Sequence, residues 1–152
     1  MCINSIRKGF KILTHNGGPP LQGGEPLFDP KTAEYPLTLP TVSLDTSLQV
    51  CGAGYNYCST LTQAAKIAGY WRNGRPALCL EVEAGPDAIE REHKRRSSVL
   101  MVLRVLSEPE IKQSMYDLVA PWADTHTDVL TESQMRWFQA LGRPQNNLSS
   151  VE

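Results

Sequence analysis

Glu81 and Glu83, in Leu80-Glu-Val-Glu83, are carboxylates at alternate positions. In an extended segment they fall about 7 Å apart on one face. That is close enough to share a cation or to work as an acid and base. The same alternation describes the wet side of a sheet that buries Leu78, Leu80 and Val82. His15 precedes Gly17-Gly18, in the kind of loop that carries binding side chains and also ordinary turn residues. His126, between Asp124 and Asp128, makes an Asp-x-His-x-Asp pattern too loose to specify a metal, and no metal is expected. Arg91, Lys94, Arg95 and Arg96, with Arg72 and Arg75 around Asn73-Gly74, form basic turns suited to phosphate, nucleic acid or an acidic protein surface. Glu90 and Glu92 partly neutralise them. Trp122 and Trp137 suit either interface anchors or core positions at element ends.

The wider composition narrows these options. The chain has 152 residues and a formal net charge of −1, so one domain is expected, and no global field would draw it to nucleic acid or an anionic membrane. Cys2, Cys51, Cys58 and Cys79 match neither a disulfide framework nor paired zinc ligands. Reduced thiols are expected, with a Cys51–Cys58 disulfide or a mixed Cys/His site as the alternatives. There is no secretory leader pattern and no run long enough to span a membrane, which points to a soluble protein of the cytoplasm. Phosphate-binding loop, nucleophile-elbow, HExxH and EF-hand patterns are all missing from the sequence.

The elements that would position the candidate residues follow from periodicity. Phe10 and Ile12 alternate around Lys11 in a strand over 8–13. Residues 14–40 are rich in proline and glycine but carry Leu21, Leu27, Phe28, Tyr35, Leu37 and Leu39, so they read as an ordered covering loop rather than a free linker. A short strand is expected at 41–44, and a strand through Tyr55–Cys58 leads into a helix capped by Ser59 or Thr60, with Leu61, Ala64, Ala65 and Ala68 on its buried face. Strands follow at 77–83, at 88–90 and within 98–106, with 91–96 as a charged loop or hairpin tip. Capping boxes at Ser107–Glu110 and Thr131–Gln134 open two C-terminal helices, the first through about Val119. The order predicts an α+β fold: a mainly antiparallel sheet with one central helix and C-terminal helices packed on it, in a single domain over 1–144 with a flexible tail over 145–152.

Lys8-Gly-Phe10, Gly54-Tyr-Asn-Tyr-Cys58, Leu80-Glu-Val-Glu-Ala84 and Ile89-Glu90 with Lys94 together resemble a family of uncharacterised domains common in bacteriophages, prophages and bacteria. The resemblance covers roughly residues 7 to 112. More remotely, Tyr57, Ser59 and Thr60 followed by Ala64 are similar to the second block of ADP-ribosyltransferase-like domains. That likeness implies Tyr57, Ser59 and Thr60 at a nicotinamide, His15 or Arg7 on the NAD ribose, and Glu81, Glu83 or Glu110 on the developing positive charge.

Two functional expectations result. The preferred one is a non-enzymatic interaction protein of phage or mobile-element type that binds and modulates a host protein or nucleotide, such as an inhibitor of host defence. It needs no cofactor, and its contacts are Arg72, Arg75, Arg91, Lys94, Arg95, Arg96 and Trp137. The alternative is an NAD-using ADP-ribosyltransferase-like enzyme with His15, Tyr57, Ser59 and Glu83 at its site.

Overall fold

A computed structural model describes residues 6–19, 24–72, 75–126, 128–132, 134–136 and 139. The chain divides into two compact units, Met1–Leu106 and Ser107–Glu152. Among the described residues of the first, seven strands form one antiparallel sheet in the order β2-β9-β6-β1-β3-β8-β7. They are β1 (Lys8–Leu13), β2 (Leu37–Thr38), β3 (Tyr55–Cys58), β6 (Leu78–Ala84), β7 (Ile89–Arg91), β8 (Lys94–Ser97) and β9 (Leu100–Val105). Two further strands, β4 (Trp71–Arg72) and β5 (Arg75–Pro76), make a separate hairpin. The α+β class with an antiparallel sheet is as the sequence predicts.

Apolar packing lies on both faces of the sheet, on the second over β1 and β3. On one face Leu13, Tyr55, Tyr57, Leu80, Val82, Leu100 and Val102 form the main core, and Leu27, Phe28, Tyr35 and Leu37 of the 24–40 segment pack against it. The turn after β1 anchors that segment. Gly17 adopts φ 90° with Phe28 O where a Cβ would sit, and Leu27 N–H donates to Gly17 O at 2.8 Å. A positive φ and so close an approach both require glycine there.

On the other face, Ile12, Cys58 and Cys79 are buried outside the main core, and helix α1 (Leu61–Ala68) packs against β1 and β3. Thr60 caps α1 by accepting from Gln63 N–H at 3.1 Å, satisfying one of the open donors of the first turn. Leu61, Ala64, Ala65 and Ala68 are the buried stripe, small enough for the helix to lie close to the sheet.

Three sequence expectations need correction. Residues 94–97 are a strand, paired with β3 on one side and β7 on the other, where a charged loop or hairpin tip was expected over 91–96; the tip is confined to Glu92 and His93. Residues 41–44 form no strand, although Val42 N–H bonds Ser98 O at 3.0 Å.

The third correction lies in the second unit. There, α2 runs Glu108–Thr125, through Pro121 and beyond the expected end at Val119. Its capping box at Ser107 and Glu110 is complete. The second box also closes, with Gln134 N–H donating to Thr131 Oγ1 at 3.1 Å and Thr131 N–H to Gln134 Oε1 at 2.9 Å. Among the described residues, no helix is long and apolar enough to cross a membrane.

Candidate functional site

Strand β1 pairs with β6 along its whole length, Lys8 opposite Glu83 through Leu13 opposite Leu78. With β3, among the described residues, it pairs at one rung only, Phe10 opposite Cys58. Beyond that rung the strands part, and the Lys11 ammonium reaches across to donate to the Asn56 carbonyl oxygen. In a continued antiparallel register that carbonyl would face β1 backbone.

The gap opens into a cleft of about 440 Å³, within the usual size of a small-molecule site. Its walls are Phe10 and Ile12 of β1, Tyr55 and Tyr57 of β3, and Ala64 and Ile67 of α1. Leu27 and Val42 come from the connecting segments, and Lys11, Lys94, Cys51, Cys58 and Asn56 supply most of the polar lining. No Asp or Glu is among the described lining residues.

Each polar group has a defined state. Burial pushes the Lys11 ammonium down to about 8, opposed in part by the nearby Cys58, because a cation loses hydration there and gains no anionic partner. Burial pushes the Cys58 thiol up, with Lys94, Lys11 and Arg95 pulling the other way. Lys94 Nζ lies 2.9 Å from Cys51 Sγ at the exposed rim. The Tyr55 hydroxyl donates to Pro40 O and the Tyr57 hydroxyl to Ile6 O, so both hydroxyls are engaged within the protein. The Asn56 amide is oriented by Nδ2 bonds of 3.3 Å to Gly52 O and to Gly54 O, which leaves Oδ1 buried and without a hydrogen-bond partner. A buried acceptor left unmet costs about 1–3 kcal/mol.

The Lys11 shift has a thermodynamic consequence. The folded protein holds this proton less tightly than the unfolded chain, so stability rises with pH above about 8. The thiols act oppositely: burial raises Cys58 and takes Cys79 from 9.0 to about 12, so their contribution falls once the unfolded thiols ionise. Urea midpoints are therefore expected to climb from about pH 8 and then turn over above pH 9.0, where the unfolded thiols ionise. In Lys11→Met the climb disappears; an equal climb in that variant would assign it to another group.

The remaining sequence candidates are dispersed. His15 is exposed in the turn after β1 and Ser59 is exposed beside the α1 cap, and neither lines the cleft. Glu83 alternates with the core residue Val82 and therefore lies on the opposite face from Tyr57. Glu83 meets Lys8 at 3.8 Å, and Glu81 meets Arg104 at 2.7 Å, so each carboxylate has its own cation. His126 caps α2 and stacks on Trp122 at 4.5 Å. Among the described residues, no three His, Cys, Asp or Glu gather as a metal site. Cys51, Cys58 and Cys79 are free thiols.

The basic turns serve the fold. Arg96 is 1% exposed, and its guanidinium donates to Asp45 O at 2.7 Å, Gln49 O at 2.9 Å, Val50 O at 3.1 Å and Ser47 O at 3.1 Å. Arg91 holds the same loop through Ser47 O at 2.8 Å and Thr46 O at 3.0 Å. Arg95 bonds Glu90 at 2.9 Å and Lys8 O at 3.2 Å. Of the expected contact residues, Lys94 alone lines the cleft; the side chains of Arg72 and Arg75, and all of Trp137, lie outside the described residues.

Lys11 and Asn56 were not sequence candidates, because a lysine between Phe10 and Ile12 reads as the wet side of a half-buried strand. The signal available was the apolar 24–40 segment, which implies that the second face is covered too. No family model matches the chain, and neither a curated protein nor a solved structure matches it.

Proposed function

We propose that the protein is a non-enzymatic binding protein of phage or mobile-element type, active in the host cytoplasm, whose cleft takes a small aromatic anion of the nucleotide class and so modulates its host. The mobile-element part rests on the resemblance through Lys8-Gly-Phe10 and Gly54–Cys58. The observation that carries the binding reading is the cleft itself: aromatic and aliphatic walls, Lys11 and Lys94, and no carboxylate among the described lining residues. The apolar walls suit a base, and the ammonium groups hold a phosphate.

A nucleotide is favoured over a host protein because Arg91 and Arg96 are committed to the 45–50 loop. The ADP-ribosyltransferase alternative draws support from Tyr57 alone, since His15, Ser59 and Glu83 do not join it in the cleft lining.

The test is a thermal-denaturation series with adenosine, guanosine, cytidine and uridine monophosphates at millimolar concentration. Ligand at a hundred times its dissociation constant stabilises by about 2.7 kcal/mol, which raises Tm by roughly 5–10 °C in a chain of this size. Lys94→Gln is expected to reduce the shift. The absence of a response to all four nucleotides overturns the nucleotide reading.

A further inference from the structure

The Lys11 amine differs in setting from an ordinary surface lysine. It projects from an interior strand of the sheet into the gap between β1 and β3, and its hydrogen bond goes to a neutral acceptor, the Asn56 carbonyl. The titratable groups lining the cleft around it are Cys51, Cys58, Tyr55, Tyr57 and Lys94, none of which is a carboxylate that would hold it as an ammonium. We infer that Lys11 is a covalent anchor that captures aromatic aldehydes carrying a phosphate or carboxylate as an imine within the cleft.

The chemistry is redox-neutral. The amine lone pair attacks the carbonyl carbon, forming an N–C bond while the C=O π pair becomes a hydroxyl after protonation. The nitrogen then loses its remaining proton as that hydroxyl leaves as water, so R–NH2 and O=CH–R′ give R–N=CH–R′ and H2O. A desolvated lysine in an apolar site is the setting in which an amine acts as a nucleophile near neutral pH. Burial has already brought Lys11 to about 8, so a useful fraction is unprotonated there. The competing Cys58 thiol is pushed the other way by burial and stays protonated. The Tyr55 and Tyr57 hydroxyls are engaged with Pro40 O and Ile6 O and do not compete for the aldehyde. Phe10, Leu27 and Ile67 of the lining supply apolar surface for the aromatic body, and Lys94 stands at the rim to receive the anionic group.

The inference rests on the cleft being a ligand site, and a matched pair of probes separates the two. Pyridoxal 5′-phosphate carries the aldehyde, and pyridoxine 5′-phosphate replaces it with an alcohol. After cyanoborohydride reduction, peptide mapping is expected to place one adduct on Lys11. Its labelling should exceed that of the exposed Lys8, Lys31 and Lys66 by roughly tenfold or more, given the larger free-amine fraction. The rate should rise with pH through about 8, disappear in Lys11→Arg, which keeps the charge, and fall in Lys94→Gln. Label spread evenly over the exposed lysines overturns the inference. If the alcohol still raises Tm in that case, the cleft remains a ligand site and only the covalent step is wrong. If neither probe raises Tm or labels Lys11, both the inference and the aromatic-anion reading of the cleft fail.

Discussion

Arg96→Ala is expected to destabilise the protein by about 3–5 kcal/mol, because several hydrogen bonds to a charged group are lost together, and to lower Tm by roughly 10 °C. The guanidinium is almost fully enclosed and answers carbonyl oxygens of Asp45, Ser47, Gln49 and Val50. Four carbonyls converging on one point repel one another unless a cation sits among them. With alanine they must turn outward to water, and the loop that leads into β3 loses its centre.

The effect should extend to the cleft, because Cys51 and Ala53 of the same connection line it. Arg96→Lys is expected to recover only a minor part, since a point ammonium with three donors cannot match a planar fork directed at four acceptors. Arg91→Ala, which removes two exposed bonds to the same loop, should cost about 1 kcal/mol or less. Urea denaturation of the three variants, with Arg91→Ala as the internal reference, checks the order. Equal losses for Arg91→Ala and Arg96→Ala would mean that the loop is held by something other than the buried fork.

Arg96 also shows where sequence reading stops. Lys94-Arg-Arg96 has none of the apolar alternation that marks a half-buried strand, yet it pairs on both sides as β8. What buries Arg96 is a set of backbone carbonyls some fifty positions earlier in the chain, and backbone carbonyls have no sequence signature. By contrast, β1 and α1 were legible, because Phe10 and Ile12 alternate and Thr60 precedes a helical stripe of Leu61, Ala64, Ala65 and Ala68. The first C-terminal capping box was legible for the same reason: Ser107 and Glu110 act on groups within three residues of themselves. The cleft was not legible, since it depends on β1 and β3 parting after the Phe10–Cys58 rung, a property of pairing between segments distant in sequence. Lys11 is the clearest case. Its neighbours correctly announce a strand, but only the packing of the 24–40 segment on the second face turns a wet-side lysine into a half-buried one.

Gly9→Ala is expected to destabilise by about 3 kcal/mol or more, above the usual penalty for an overpacked core. Gly9 lies opposite Val82 in β1, and a Cβ there would come within 2.3 Å of Cys58 O and 2.8 Å of Tyr57 Cδ2. The Tyr57 ring could in principle swing aside, though it would give up its hydroxyl bond to Ile6 O. The Cys58 carbonyl cannot swing, because it belongs to the backbone of the rung that joins β3 to β1. The added methyl must therefore push β3 away at the Phe10–Cys58 rung that joins the two strands, widening the gap that Lys11 spans. Tyr57→Phe separates the two contributions: it removes the hydroxyl and should cost only about 1 kcal/mol. Adding Tyr57→Leu to Gly9→Ala removes the ring contact but leaves the carbonyl contact, so most of the loss should persist in the double variant. Full recovery in that double variant would place the strain in the Tyr57 ring, and a Gly9→Ala protein as stable as the parent would mean that β1 and β3 stand further apart than the Phe10–Cys58 rung allows.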